Sequence, residues 1–290
     1  MTVDGKYMLS SQELIFKNDD SYFINGKIQS RSRFRIMILA LLGALAIGLS
    51  LGVLGSGGSI LTVPVLIYFV GQEEKVAIAG SLAIVGTIAL VGTIPNIYKK
   101  LIDWQNVIWF GIPGIIGTYL GAFTTQYIPG IAQLTLFAII MLIASYKMLN
   151  VKEVVQTSNV TRPRFKIILD GFAVGVITGI VGVGGGFLIV PALVIMGGLS
   201  MRRAVATSLL IVSLKSFSGF YKYLDVLAAQ NLSLDWNTIY LISGVGIAGS
   251  FLGNAVAGVL PQQKLKRFFG FFLIFMAAFI LIKTVPKFLN

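Results

Sequence analysis

Eight long apolar stretches, nearly free of charged residues, dominate the sequence. Each approaches or exceeds the ~20 residues that a helix needs to cross a hydrocarbon core. Hydrophobic residues make up 56% of the 290-residue chain and charged residues only 12%, whereas soluble domains carry about 25% charged residues. The sequence therefore predicts an all-α, polytopic helical protein that lies in a lipid bilayer. The stretches lie at 36–70, 76–98, 107–125, 131–149, 167–198, 204–224, 237–260 and 265–285.

The charged residues fit a membrane protein better than a nucleic-acid-binding protein. The net charge is +12, and basic residues cluster in short segments at 31–35, 99–100 and 162–166. Such clusters between apolar stretches are typical of loops held on the cytoplasmic side, so no nucleic acid partner is predicted. The first 35 residues mix acidic and basic side chains without the apolar core of a signal peptide. We expect a cytoplasmic N-terminal tail and a multi-pass protein of the plasma (inner) membrane.

The absence of two residue types limits the kinds of catalytic and metal site that the chain can form. The chain contains no cysteine and no histidine, which removes disulfides, thiolate nucleophiles, Cys/His metal sites and serine–histidine dyads. The segment GSGGS at 55–59 therefore lacks the usual general base of a serine protease. We predict a protein that is not an enzyme and that uses neither a metal nor a cofactor.

A glycine-rich motif that closes on a proline occurs twice, 127 residues apart: GVLGSGGSILTVP at 52–64 and GIVGVGGGFLIVP at 179–191. The correspondence continues downstream, where AIAGSL at 77–82 matches AVATSL at 204–209 and Asp103-Trp104 matches Asp235-Trp236. We predict two homologous halves of four elements, in which the first element of each half is broken at its glycine-rich loop. The expected boundaries are a tail at 1–35, a first transmembrane repeat at 36–149, a basic linker at 150–166 and a second transmembrane repeat at 167–290.

Two topologies remain open at this level. If each broken element crosses the membrane once, the chain makes eight crossings. If each broken element is a re-entrant hairpin, each half has three crossings and the two halves are inverted relative to each other. The positions of the lysines and arginines do not decide between these alternatives.

The two glycine-rich loops are candidate anion sites. Successive backbone N–H groups followed by a helix N-terminus form a concave site that attracts an oxyanion. We expect the loops to meet near the midplane of the bilayer. Glycines within the full helices, such as Gly117, Gly121, Gly249 and Gly253, are instead interpreted as helix-packing positions. The loop residues predicted to bind the anion are Ser56, Gly57, Gly58, Ser59, Gly184, Gly185 and Gly186.

Lys215 is the most informative single residue. It lies about eleven residues into its apolar stretch, and a lysine at that depth is a functional-site hypothesis because it is costly to bury. The residue that corresponds to it in the first half, Ile88, is apolar. We predict that Lys215 binds the anion. The alternatives are a lysine that snorkels to the interface or one that is held by backbone carbonyls or by hydroxyls such as those of Ser213 and Ser216. Ser81 and Ser208, at equivalent positions, either donate to the same ligand or bond back to their own helices.

The duplicated motif resembles the repeated signature of the sulfite exporter TauE/SafE family. The resemblance rests on GVLGSGGSILTVPVL and GVITGIVGVGGGFLIVPALV, each followed by the AIAGSL or AVATSL segment, and covers about 36–285. It implies a permease for small sulfur-containing anions such as sulfite or organosulfonates. We predict a secondary transporter, with export driven by the membrane potential. An anion channel and a non-transporting membrane scaffold are the alternatives, and a homodimer is one assembly left open.

Overall fold

The computed structural model describes residues 38–55, 57–150, 163–182, 186–195 and 197–289, and within these residues every regular element is helical. The predicted all-α fold is confirmed. The predicted tail at 1–35 and most of the basic linker lie outside the described residues. The ten helices of the described residues are α1 (Ile38–Leu54), α2 (Gly57–Val70), α3 (Glu74–Tyr98), α4 (Trp104–Tyr127), α5 (Gly130–Asn150), α6 (Arg164–Val181), α7 (Gly186–Ile195), α8 (Met201–Ala229), α9 (Trp236–Val259) and α10 (Gln262–Leu289).

Six of these helices are long and apolar enough to cross a membrane: α3, α4, α5, α8, α9 and α10. The 25-residue helix α3 has the highest mean hydropathy of the six, 2.1. The eight apolar stretches of the sequence therefore become six candidate spans and two broken elements, α1–α2 and α6–α7. Three of the spans (α3, α4 and α5) precede the basic linker, and three (α8, α9 and α10) follow it.

The first broken element is a helical hairpin. Helix α1 ends at Gly55, whose φ of +72° is a left-handed conformation that glycine adopts without a steric penalty. Helix α2 then packs back along α1, because Gly58 lies against Leu51 and Gly43 lies against the side chain of Val65. Residues far from the break in α1 therefore contact residues far from the break in α2. This is the re-entrant alternative, with the glycine-rich loop at the tip of the hairpin.

The second broken element begins with the same local geometry. Helix α6 ends at Gly182, which also has a φ of +72° and whose N–H donates to the carbonyl of Thr178 at 2.9 Å. Such a left-handed glycine is a common way to end a helix, and it releases the chain from the helix axis. The 10-residue helix α7 follows and leads to α8.

Two pairs of helices pack backbone against backbone through glycine. Along α6, the residues Gly171, Gly175 and Gly179 face the carbonyl oxygens of Phe110, Gly114 and Thr118 of α4, where a β-carbon would collide. Both series rise in steps of about four residues, so α4 and α6 run parallel. Helices α1 and α9 pack in the same way, through Gly48, Gly52, Gly249 and Gly253. The predicted packing role of Gly117, Gly121, Gly249 and Gly253 is confirmed.

The central helices α3 and α8 cross in opposite directions. Leu82 of α3 lies against Gly219 of α8, whereas Gly86, further along α3, lies against Ser216, which comes earlier in α8. Helices α3 and α9 run parallel instead, since Ile88 meets Gly246 and Gly92 meets Ser250. The corresponding helices of the two parts of the chain are therefore antiparallel. This arrangement is the inverted one of the two open topologies, while the homology of the halves stays a prediction.

Helices α4 and α9 begin with the same side-chain cap. The carboxylate of Asp103 accepts the N–H of Asn106 at 3.0 Å, and that of Asp235 accepts the N–H of Thr238 at 3.2 Å. The cap satisfies backbone donors that the first turn of a helix leaves free. The hydroxyl of Thr238, with the backbone N–H groups, holds the pKa of Asp235 below its usual range.

Candidate functional site

The two glycine-rich loops lie at opposite ends of α8. Gly55 lies beside Val205 and the hydroxyl of Ser208, whereas Gly182 lies beside the hydroxyl of Tyr223. Val205 and Tyr223 belong to one continuous helix and are 18 residues apart, which corresponds to ~27 Å at 1.5 Å per residue. The expectation that the loops meet near the midplane is wrong. Helices α1 and α6 run in opposite directions, so Gly55 and Gly182 lie towards opposite ends of the helical body.

The first loop is surrounded by polar groups, some of which lack partners. Gly57, Gly58 and Ser59 are buried at the start of α2, and Ser208 donates back to the carbonyl of Val205 at 2.9 Å. The Ser50 hydroxyl, next to Gly57, has no hydrogen-bond partner among the described residues. The same holds for the side-chain nitrogen of Asn254 in the adjacent α9. Ser56, also predicted to bind, lies outside the described residues.

Several hydrogen bonds lie around Gly182, the residue that precedes the second loop. The hydroxyl of Ser81 donates to the carbonyl of Ile78 at 2.7 Å and lies 3.4 Å from the carbonyl oxygen of Gly182. Tyr223, which is fully buried, accepts a hydrogen bond from Gln133 at 2.9 Å. Gly186 is buried at the start of α7, and the predicted ligands Gly184 and Gly185 lie outside the described residues. Both predicted serines thus adjoin a loop while bonding back to their own helices.

A lysine that the sequence reasoning missed stabilises the end of α6, next to the second loop. The ammonium group of Lys75 donates to the carbonyl oxygens of Thr125 and Ile128 and to the side-chain oxygen of Gln133, at 2.6–2.7 Å. Gln133 in turn donates to the carbonyl of Ile180, at the end of α6, at 2.6 Å. Lys75 and Gln133 therefore connect α3, α4, α5 and α6 next to Gly182. From the sequence, Lys75 follows Glu73-Glu74 and is indistinguishable from an ordinary interfacial lysine.

Lys215 occupies the middle of α8, 14 residues from either end of the helix. It is fully buried, and its ammonium group has no hydrogen-bond partner among the described residues. The nitrogen lies 5.0 Å from the ring centroid of Phe110 and directly against Gly114, both in α4. Ile88 fills the corresponding place in α3, against Gly246. The depth predicted for Lys215 is confirmed, whereas its role in binding stays a prediction.

Two serines add to the polar character of this central position. Ser213 and Ser216 are fully buried, and neither hydroxyl has a hydrogen-bond partner among the described residues. Ser216 lies at the crossing with α3, opposite Gly86. Buried polar groups are nearly always paired in native proteins, so three groups without a described partner at 213–216 are unusual, with Lys215 facing α4 and Ser216 facing α3. The sequence already distinguished this position, because the corresponding residues of the first half, Gly86, Ile88 and Ala89, carry no polar side chain.

Six candidate spans, two broken elements that contain glycine-rich loops and a fully buried lysine midway between these loops along α8 define a polytopic membrane protein of the transporter class. Comparison with known sequences agrees with this class. The chain belongs to the family described as Sulfite exporter TauE/SafE, which it matches over residues 39–280. It is a multi-pass membrane transporter. No solved structure matches the chain.

Several relatives carry the same general description. A probable membrane transporter protein of Xylella fastidiosa (strain 9a5c) is 31% identical over 242 residues, which cover 81% of this chain and 91% of the relative. A probable membrane transporter protein of Haemophilus influenzae is 28% identical and covers 83% of this chain and 96% of its own length. The probable membrane transporter protein YunE of Bacillus subtilis is 26% identical, and the match covers 78% of this chain and 89% of the relative. The similarity thus extends over nearly the whole length of these relatives.

Proposed function

We propose that this protein exports small sulfur-containing oxyanions, such as sulfite or organosulfonates, across the plasma membrane. The observation that carries the proposal is Lys215, a fully buried lysine without a hydrogen-bond partner among the described residues, at the centre of a spanning helix. An ionisable residue at this depth usually faces a substrate pathway. An anion is the ligand that a lysine and neighbouring hydroxyl groups would bind.

The loops and Lys215 act in sequence on the anion. Along α8, Lys215 is ten residues from Val205 and eight from Tyr223, or ~15 Å and ~12 Å at 1.5 Å per residue. A small oxyanion cannot span either distance, so it contacts one loop, then Lys215, then the other loop. The N–H groups of the loops and the two serine hydroxyls receive the anion at the ends of this path. The residues proposed to contact it are Ser56, Gly57, Gly58, Ser59, Ser81, Gly184, Gly185, Gly186, Ser208 and Lys215.

The direction proposed is outward, because the membrane potential alone drives it. An anion that leaves a negative-inside cell gains ~2.3 kcal/mol per charge per 100 mV. Proton relays in transporters usually run through Asp, Glu or His side chains. The buried polar side chains of the described residues are Lys, Ser, Thr, Asn and Gln, which favours transport without a coupled proton.

Sulfite uptake into proteoliposomes under an interior-positive potential tests the proposal. We expect saturable uptake that organosulfonates inhibit by competition, and we expect the Lys215→Met variant to lose at least tenfold in rate. The control is Ile88→Met, which introduces the same side chain at the corresponding position of α3 without removing a charge and should retain uptake. Uptake by Lys215→Met at the wild-type rate would remove this residue from the pathway. Single-channel currents would favour the channel alternative.

A further inference from the structure

An apolar groove runs along the outer surface between α4 and α6. It has a volume of about 340 Å³, and every side chain that lines it is apolar. The four residues from α6 recur at intervals of three and four, so they form a single stripe on one face of the helix. Such a groove provides no partner for a polar solute, but it matches a hydrocarbon chain. The lining residues are Ile112, Pro113, Ile116, Phe165, Ile168, Leu169 and Phe172.

One end of this groove carries a fixed positive charge. Arg164 begins α6, next to the groove residue Phe165, and its guanidinium group lies 5.4 Å from the ring centroid of Trp109. Lys166 is exposed two residues further on. The ion pairs among the described residues are Arg203–Asp103 and Lys222–Asp225, so neither Arg164 nor Lys166 is neutralised by a described carboxylate. Tryptophan and arginine together are typical of the level at which lipid headgroups lie.

We propose that this groove binds one phospholipid with an anionic headgroup. An acyl chain lies in the groove, and the headgroup binds Arg164, with Lys166 contributing charge. The apolar lining accounts for affinity for a chain, whereas the arginine accounts for selectivity, because a guanidinium group donates two parallel hydrogen bonds to a phosphate. Basic residues at the end of a cleft between spanning helices are a recurrent form of lipid recognition. The proposal does not depend on which solute is transported.

Native mass spectrometry of the full chain tests this selectivity. The detergent-solubilised protein is titrated in parallel with phosphatidylglycerol, which is anionic, and phosphatidylcholine, which is zwitterionic. We expect phosphatidylglycerol to be retained several-fold better, and we expect the double variant Arg164→Gln/Lys166→Gln to lose this preference. The control Lys99→Gln/Lys100→Gln removes the same charge from another loop and should keep the preference. Equal retention of both lipids, or an equal loss in both double variants, would overturn the proposal.

Fluorescence quenching locates the lipid independently. The chain has three tryptophans, so replacing Trp104 and Trp236 by phenylalanine leaves Trp109 as the only tryptophan, beside Arg164. In mixed bilayers, phosphatidylglycerol with brominated acyl chains should quench Trp109 several-fold more than brominated phosphatidylcholine at the same mole fraction. Arg164→Gln in this background should equalise the two lipids. Equal quenching before that change would mean that only unselective boundary lipid contacts the groove.

Discussion

Among the residues whose burial is described, two lysines are buried, and their surroundings predict opposite effects of removing them on stability. Lys75 donates three hydrogen bonds, whereas Lys215 donates none to the described residues. A lysine at the bilayer centre costs from about 2.5 kcal/mol upward, so Lys215→Met should raise the free energy of unfolding by a similar amount. Each hydrogen bond from a charged donor contributes about 1.5–3 kcal/mol, so Lys75→Met should lower it.

Thermal unfolding of both variants in the same detergent shows whether each substitution raises or lowers the stability of the protein. Ile88→Met is the control for the side chain introduced in the middle of a span, and it should shift the midpoint little. A lower midpoint for Lys215→Met would contradict the prediction, because it would mean that the ammonium group has stabilising partners. At the residue scale, then, the feature that makes Lys215 a candidate for anion binding is the same feature that makes it destabilising.

At the scale of the element, α9 allows a matched comparison of two glycines. Gly249 faces α1, where a β-carbon would lie 2.7 Å from the carbonyl oxygen of Leu45, whereas Gly244 has no atom within 4 Å of that position. Gly249→Ala should therefore cost about 1–3 kcal/mol through overpacking. Gly244→Ala should instead stabilise the helix by about 0.5–1 kcal/mol. Chemical denaturation of each variant measures the difference, and equal effects would contradict the close packing of α1 on α9.

The elements also show where sequence reasoning succeeds and where it stops. The breaks at Gly55 and Gly182 followed from the clustering of glycine before a proline, because those residues act on the local backbone. The reversal of α2 along α1 did not follow. It depends on contacts between residues far apart in sequence, such as Gly43 with Val65. The hydropathy pattern of the sequence does not predict such contacts. The loops were expected to meet near the midplane because the substrate site of duplicated transporters lies between the two halves, yet a repeated sequence does not fix the relative orientation of two elements.

At the scale of the whole molecule, the antiparallel arrangement brings basic residues together at one end. Lys99 and Lys100 follow α3, and Arg202 and Arg203 begin α8. Arg203 pairs with Asp103 at 3.3 Å, and the hydroxyl of Thr207 accepts the N–H of Asp103 at 2.9 Å, so the two segments adjoin. The eight-crossing alternative would have placed them on opposite sides of the membrane. We call this the basic end, and the distribution of charge predicts that it faces the cytoplasm. Because α1 runs parallel to α3 and α9, Ile38 then lies at the opposite end, so this orientation conflicts with the cytoplasmic side expected for the N-terminal tail.

Cysteine labelling tests this arrangement directly, because the chain has no cysteine of its own. Lys100 follows the end of α3. Lys264 follows the end of α9, which runs parallel to α3, so it lies at the same end of the molecule as Lys100. Asn231 follows the end of α8, which runs in the opposite direction. Single cysteines at Lys100 and Lys264 should therefore react from the cytoplasmic side, and one at Asn231 from the other side. A membrane-impermeant maleimide on right-side-out and inverted vesicles distinguishes the sides. In the eight-crossing topology Lys100 and Asn231 occupy equivalent loops, so they would react together and Lys264 would react from the opposite side.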